Sequence, residues 1–183
     1  MARLIHLNGP PGIGKSTLAR RYVDEHPGVL NCDIDVLRTM IGGWADDFAR
    51  AGALIRPAAL AMIEAYLAGG HDVVLPQMLF DPAELSRFER CAAHADARFV
   101  ERFLMDDLSH ALARFDRRGD AGSPDPWHAQ VRAIVAADGG HEALAHAHSA
   151  LQRLLEQRRE AVVVPSIEGA VDATYQSLIS SLA

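Results

Sequence analysis

Gly9-Pro10-Pro11-Gly12-Ile13-Gly14-Lys15-Ser16-Thr17 decides how the rest of this chain is read. A glycine, four variable residues and then Gly-Lys-Ser form the pattern of a loop whose converging backbone N–H groups meet a polyphosphate. Side chains at the glycines would block that approach. The amides of Gly12, Ile13, Gly14, Lys15, Ser16 and Thr17 are therefore expected to hold phosphates. Lys15 supplies a mobile cation for the β- and γ-phosphates, and Ser16 offers a hydroxyl to the Mg²⁺ that neutralises them. Such a loop must follow a strand and open a helix. Leu4, Ile5 and Leu7 form a short apolar run ending at Asn8, and Leu18, Ala19, Tyr22 and Val23 recur at helical spacing after Lys15.

Outward from this loop, 183 residues suit one domain, with segments 42–53 (a substrate cover) and 114–140 (a lid) expected to move. With the N-terminus read as running straight into the first strand, no signal peptide is expected, and no apolar run is expected to reach membrane-spanning length. The expected location is the cytoplasm. Cys32 and Cys91 lack paired metal-ligand spacing and read as reduced thiols. The formal charge of −6 disfavours a nucleic-acid partner, because the densest basic cluster is only Arg114, Arg117 and Arg118. Three arginines suit one triphosphate better than a long polyanion.

Strand-like and helix-like segments then alternate. Val29 to Cys32 reads as a second strand running into Asp33-Ile34-Asp35, so carboxylates sit at a strand end. Ligands of open parallel sheets bind at that edge, which makes Asp33 and Asp35 candidates to face the phosphate loop. Gly43 to Asp47 reads as a flexible cover. Trp44 within it either closes over a ring-shaped substrate or staples the loop to the body. Leu54 to Leu67 is expected to be a helix, Val73 to Leu75 a third strand, and Asp81-Pro82-Ala83-Glu84 a helix start. Phe99 to Leu104 and Val162 to Val164 read as further strands. Gly119 to Pro126 reads as a loop or lid hinge, with Trp127 anchoring the lid. Arg114, Arg117 and Arg118 fall on a different helix face from Leu108, Ala111, Leu112 and Phe115, free for a ligand. His141 and His146 are five residues apart and do not share a zinc-binding face, and His148 falls on an apolar stripe. Five strands separated by helices imply a three-layer α/β fold with a five-stranded, mostly parallel sheet and a helical lid.

The run from Gly28 to Arg38, at this distance from the phosphate loop, resembles the kinase domain of polynucleotide 5′-hydroxyl kinases. More broadly it is similar to P-loop small-molecule kinases such as chloramphenicol phosphotransferase and the zeta-toxin kinases. The resemblance is closest over residues 3 to 41. It implies that Asp35 is the base accepting the proton of an acceptor hydroxyl, that Arg38 holds the substrate, and that Arg114 and Arg118 contact ATP in the lid. Phosphoryl transfer is largely positioning and charge stabilisation, so the chemistry asks for a carboxylate beside the attacking oxygen and cations around the transferring group. Asp33 is an alternative base or an orienter of the metal shell. One departure from the family stands at the third strand, where Val74-Leu75-Pro76-Gln77 replaces an aspartate; Gln77 can hydrogen-bond a substrate but is a weak partner for Mg²⁺.

The expected activity is an ATP- and Mg²⁺-dependent phosphotransferase acting on a hydroxyl of a nucleoside, sugar or antibiotic. A polynucleotide 5′-hydroxyl kinase and a non-catalytic ATP-binding switch are the alternatives. Alanine-rich helices leave monomer and homodimer both open.

Overall fold

The computed structural model describes residues 1–120 and 126–183, apart from the side chains of 118–120 and 126–129. The strands are β1 (Arg3–Asn8), β2 (Leu30–Asn31), β3 (Val73–Leu75), β4 (Arg98–Met105) and β5 (Val162–Pro165). They form one all-parallel sheet in the order β2-β3-β1-β4-β5. Leu4, Ile5 and His6 of β1 stand opposite Val73, Val74 and Leu75 of β3, and Leu30 and Asn31 of β2 pair with Val73 and Val74. Leu4, Ile5 and Leu7 are fully buried although their side chains alternate between faces, as a strand covered by helices on both sides requires.

The chain forms two compact units, one of Met1–Asn8 with Lys15–Arg102 and the other of Gly9–Gly14 with Phe103–Ala183. The first contains α1 (Lys15–Glu25), α2 (Ile34–Arg38), α3 (Phe48–Ala68) and α4 (Pro82–His94). Its core includes Ile34, Ile63, Leu67, Leu75, Leu85 and Phe88. The side chain of Asp81 caps α4 by accepting from the Ala83 N–H at 2.9 Å, as its sequence signature indicates. Glu84 instead pairs with Arg56 and Arg87. Cys32 and Cys91 are buried free thiols, and burial pushes them up to about 12 and about 11 respectively.

α3 begins six residues before the expected Leu54, because Asp47 caps it, accepting from the Arg50 N–H at 2.9 Å. The second half of the expected 42–53 cover is therefore helical, with Ala51 and Gly52 buried. At 21 residues, α3 is long and apolar enough, by length and composition, to cross a membrane, contrary to the expectation that no segment is. It nevertheless buries Ile55, Ala59, Ile63 and Leu67 at helical spacing and packs on α2 and α4. Arg56 within it pairs with Glu84 at 3.4 Å.

The second unit contains α5 (Leu108–Asp120), α6 (Pro126–Ala137), α7 (His141–Gln157) and α8 (Val171–Leu182). The expected loop from Gly119 to Pro126 is shorter at both ends, since α5 runs through Gly119 and Asp120 and α6 opens on Pro126. Proline suits the first turn of a helix, where its missing N–H costs no hydrogen bond. Residues 121–125 of the expected loop or hinge and the side chain of Trp127, the expected lid anchor, lie outside the described residues. His148 is buried, and its Nε2 lies 3.0 Å from the Asp106 carbonyl, so it is a satisfied core histidine. His141 instead pairs with Asp116 at 2.9 Å.

Candidate functional site

Gly9–Gly14 turns the chain from the end of β1 toward α1 with positive φ at Gly9, Gly12 and Gly14. At Gly9, φ is +143° and an added Cβ would sit 2.3 Å from the Leu104 carbonyl oxygen, so only glycine fits. The Ile13 side chain is 1% exposed and anchors the loop in the second unit. Its carbonyl accepts from Ser166 Oγ at 2.9 Å and from Arg114 Nη2 at 3.2 Å. Lys15 and Ser16 then open α1, half-buried, while Thr17 is exposed. Glycines that leave room for an anion, amides at a helix start, a lysine and a hydroxyl together fit a Mg²⁺-bound triphosphate.

Arg114 and Arg117 are not free, as their helix face had suggested. Arg114 Nη1 donates to the Ser166 carbonyl at 2.7 Å and lies 3.6 Å from Asp106. Arg117 forms an ion pair with Glu168, its Nε donating at 3.1 Å. The side chain of Arg118 lies outside the described residues.

In the first unit, the acidic pair stands at the start of α2. Asp33 is the N-cap, accepting from the Asp35 N–H at 3.1 Å, and is 5% exposed. Asp35, two residues on, is thereby relieved of capping. Its Oδ1 lies 3.1 Å from Arg38 Nη1, and about a third of its side chain (34%) remains accessible, a recessed carboxylate that solvent still reaches. Burial pushes its pKa above the ordinary aspartate range; Arg38, Lys15 and Arg56 oppose that shift and Asp33 adds to it. Arg38 is 4% exposed and stacks over the Phe48 ring at 3.6 Å. Gly52 leaves room for it, since a Cβ there would come within 2.9 Å of Nη2. The Nε and Nη1 of Arg38 make no hydrogen bond among the described residues, and burial lowers its pKa.

Gln77 follows the end of β3 and is 9% exposed; its Oε1 has no hydrogen-bond partner among the described residues. His6 Nε2 donates to the Gln77 carbonyl at 2.8 Å, while Asn8 grips Leu79 through both its amide atoms, at 2.7 and 3.0 Å. The end of β1 thus fixes the segment that carries Gln77. Trp44 is half-buried in a turn before α3, its N–H donating to the Ile41 carbonyl at 3.2 Å.

A family described as an AAA domain matches residues 4–144. The chain belongs to the AAA-domain family. Comparison of the AAA-domain chain with curated proteins returns no match. Among solved structures, a gluconokinase from Sinorhizobium meliloti 1021 is 17% identical, with 98% of this chain and 91% of that chain covered and a TM-score of 0.57. The tunicamycin resistance protein of Deinococcus radiodurans is also 17% identical, with coverage of 98% and 95% and a TM-score of 0.59. A chain of the Pnkp1/Rnl/Hen1 RNA repair complex is 18% identical, covering 87% of this chain but 47% of that one, at a TM-score of 0.62. These likenesses give the AAA-domain chain the fold of the P-loop kinases.

Two residues stand in these constellations without having been singled out from the sequence. Arg56 is one of the cations acting on Asp35, and its only sequence signal is an arginine inside an apolar helix. Ser166 grips the phosphate loop of the AAA domain from a position 153 residues away, and a lone serine after a strand carries no signal of that kind.

Proposed function

We propose that this chain is an ATP- and Mg²⁺-dependent kinase that transfers the γ-phosphate to a hydroxyl of a small polar molecule. The observation that carries this reading is Asp35. It is a recessed carboxylate spared from capping by Asp33 and set among Arg38, Lys15 and Arg56. A carboxylate so placed suits a base aimed at a hydroxyl, for which a nucleotide-binding switch has no use. Bound Mg·ATP supplies the transferable phosphoryl group and the charge neutralisation. Lys15 and the loop amides bind the phosphates, Ser16 offers its hydroxyl to the metal, and Asp35 takes the acceptor's proton as the hydroxyl oxygen attacks. Arg38, ion-paired with Asp35 and with an Nε that makes no hydrogen bond among the described residues, and Gln77, whose Oε1 has no hydrogen-bond partner among them, bind the acceptor. Trp44 covers it. Arg114 and Arg118 stabilise the charge on the reacting phosphate.

Transfer of labelled γ-phosphate from Mg·ATP to a panel of nucleosides, sugar acids, hydroxyl-bearing antibiotics and a 5′-hydroxyl oligonucleotide tests this. Label on a small acceptor is the expected result. Asp35→Asn should keep ATP binding while losing about 10²-fold or more in transfer. Label on the oligonucleotide alone would establish the polynucleotide reading instead, and unchanged turnover by Asp35→Asn would remove Asp35 as the base.

A further inference from the structure

Ile13 is the only residue between Gly12 and Gly14, and both glycines adopt a positive φ, at +79° and +103°. Glycine removes the steric barrier that would otherwise hold these peptide planes, so something else must fix which way they face. The two hydrogen bonds to the Ile13 carbonyl do this. Ser166 Oγ donates to it at 2.9 Å and Arg114 Nη2 at 3.2 Å. Ser166 is 4% exposed and is itself held through its backbone, its N–H donating to the Met105 carbonyl at 2.9 Å and its own carbonyl accepting from Arg114 Nη1 at 2.7 Å. The same Nη1 lies 3.4 Å from the Ser166 hydroxyl, which can accept from the guanidinium while it donates to Ile13.

The peptide from Ile13 to Gly14 is trans, since the described chain has no cis bond. Its carbonyl and the Gly14 N–H therefore lie in one plane and point in opposite directions. Drawing the Ile13 oxygen toward Ser166 and Arg114 turns the Gly14 N–H the other way, and that N–H makes no hydrogen bond among the described residues. A preset N–H binds an anion without having to reorient.

We propose that Ser166 is a positioning residue of the phosphate loop: its buried hydroxyl holds the Ile13–Gly14 peptide so that the Gly14 N–H is presented to a bound phosphate. The inference rests on the nucleotide-binding reading above and adds to it a residue from the segment after β5. An alternative role for that segment is contact with the nucleotide base, and the two roles separate with a probe that has no base.

Calorimetric binding of Mg·ATP and of magnesium tripolyphosphate to the full chain, to Ser166→Ala and to Ser166→Thr makes the test. Ser166→Ala is expected to weaken both ligands by a common factor of about 3 to 10, the loss of one buried hydrogen bond. Ser166→Thr, which keeps the hydroxyl, should stay within about twofold of the parent for both. Weakened ATP with unchanged tripolyphosphate would assign Ser166 to the base and overturn the proposal. So would unchanged binding of both ligands, or a Thr variant as weak as the Ala variant. Should Ser166→Ala not fold, Ser166→Cys replaces it; its weak S–H donor should also weaken both ligands together, and parent-like binding would count against the proposal. A parent chain that binds neither ligand would overturn the nucleotide reading and this inference with it, a result distinct from parent binding that the variants leave unchanged.

Discussion

At the scale of single residues, the polar groups divide into those that shape the backbone and those available for chemistry. Asp33 and Asp35 are two positions apart and chemically identical, yet the first is spent on the α2 cap while the second keeps an accessible carboxylate beside Arg38. The raised pKa of Asp35 carries a sign that can be measured. As a base it must be ionised, so the acid limb of kcat/KM should fall at a pH above the ordinary aspartate value of about 3.9 and should vanish in Asp35→Asn. An acid limb at the ordinary value would mean that another group is being titrated. The same group favours the fold when protonated at low pH, and that contribution is lost as pH rises through its folded pKa. Gly9 gives a different kind of test. An Ala there would place Cβ 2.3 Å from the Leu104 oxygen at a φ of +143°. Gly9→Ala should lower stability by about 2 kcal/mol or more, read as a drop in the urea midpoint with an unchanged slope.

Among the elements, α2 matters most for its size, because five residues carry both Asp35 and Arg38. A helix this short depends on its cap. Asp33→Ala should cost about 1 kcal/mol and reduce transfer through misplacement of Asp35, whereas Asp33→Ser, which restores a capping oxygen, should recover both. Loss of transfer in the Ser variant, with stability recovered, would instead make Asp33 a chemical participant. α3 completes the surroundings of Arg38 by supplying the Phe48 ring and the space at Gly52. The caps also show what a sequence discloses at this scale. Asp81-Pro82 announces α4 because a capping side chain and a first-turn proline are local signals. The start of α3 at Phe48 carries no such local signal, because Asp47 lies in a run of turn-forming residues and its role as a cap shows only in the Arg50 N–H that reaches it.

For the whole molecule, the parallel pairing of β2, β3 and β1 sets the carboxyl ends of these strands of the first unit along one edge, where Asp33 follows β2 and Gln77 follows β3. Cys32 and Cys91 both lie in the first unit, buried and with thiols well above their usual range. Their labelling by a thiol reagent should therefore be slow in the native protein and should track opening of that unit in denaturant; fast native labelling at neutral pH would show that the unit breathes more than its packing implies. The phosphate loop, the alternation of strands with helices and the parallel α/β class were all determined by the sequence itself, because glycine spacing and hydrophobic period are local properties that survive without coordinates. Other features were decided only by the tertiary structure: Asp33 as the cap and Asp35 as the recessed carboxylate, Arg114 and Arg117 as engaged cations, and Ser166 on the Ile13 carbonyl. The physical reason is that a hydrogen bond is specific in space but not in sequence. A donor 153 residues from its acceptor leaves no periodicity by which to find it.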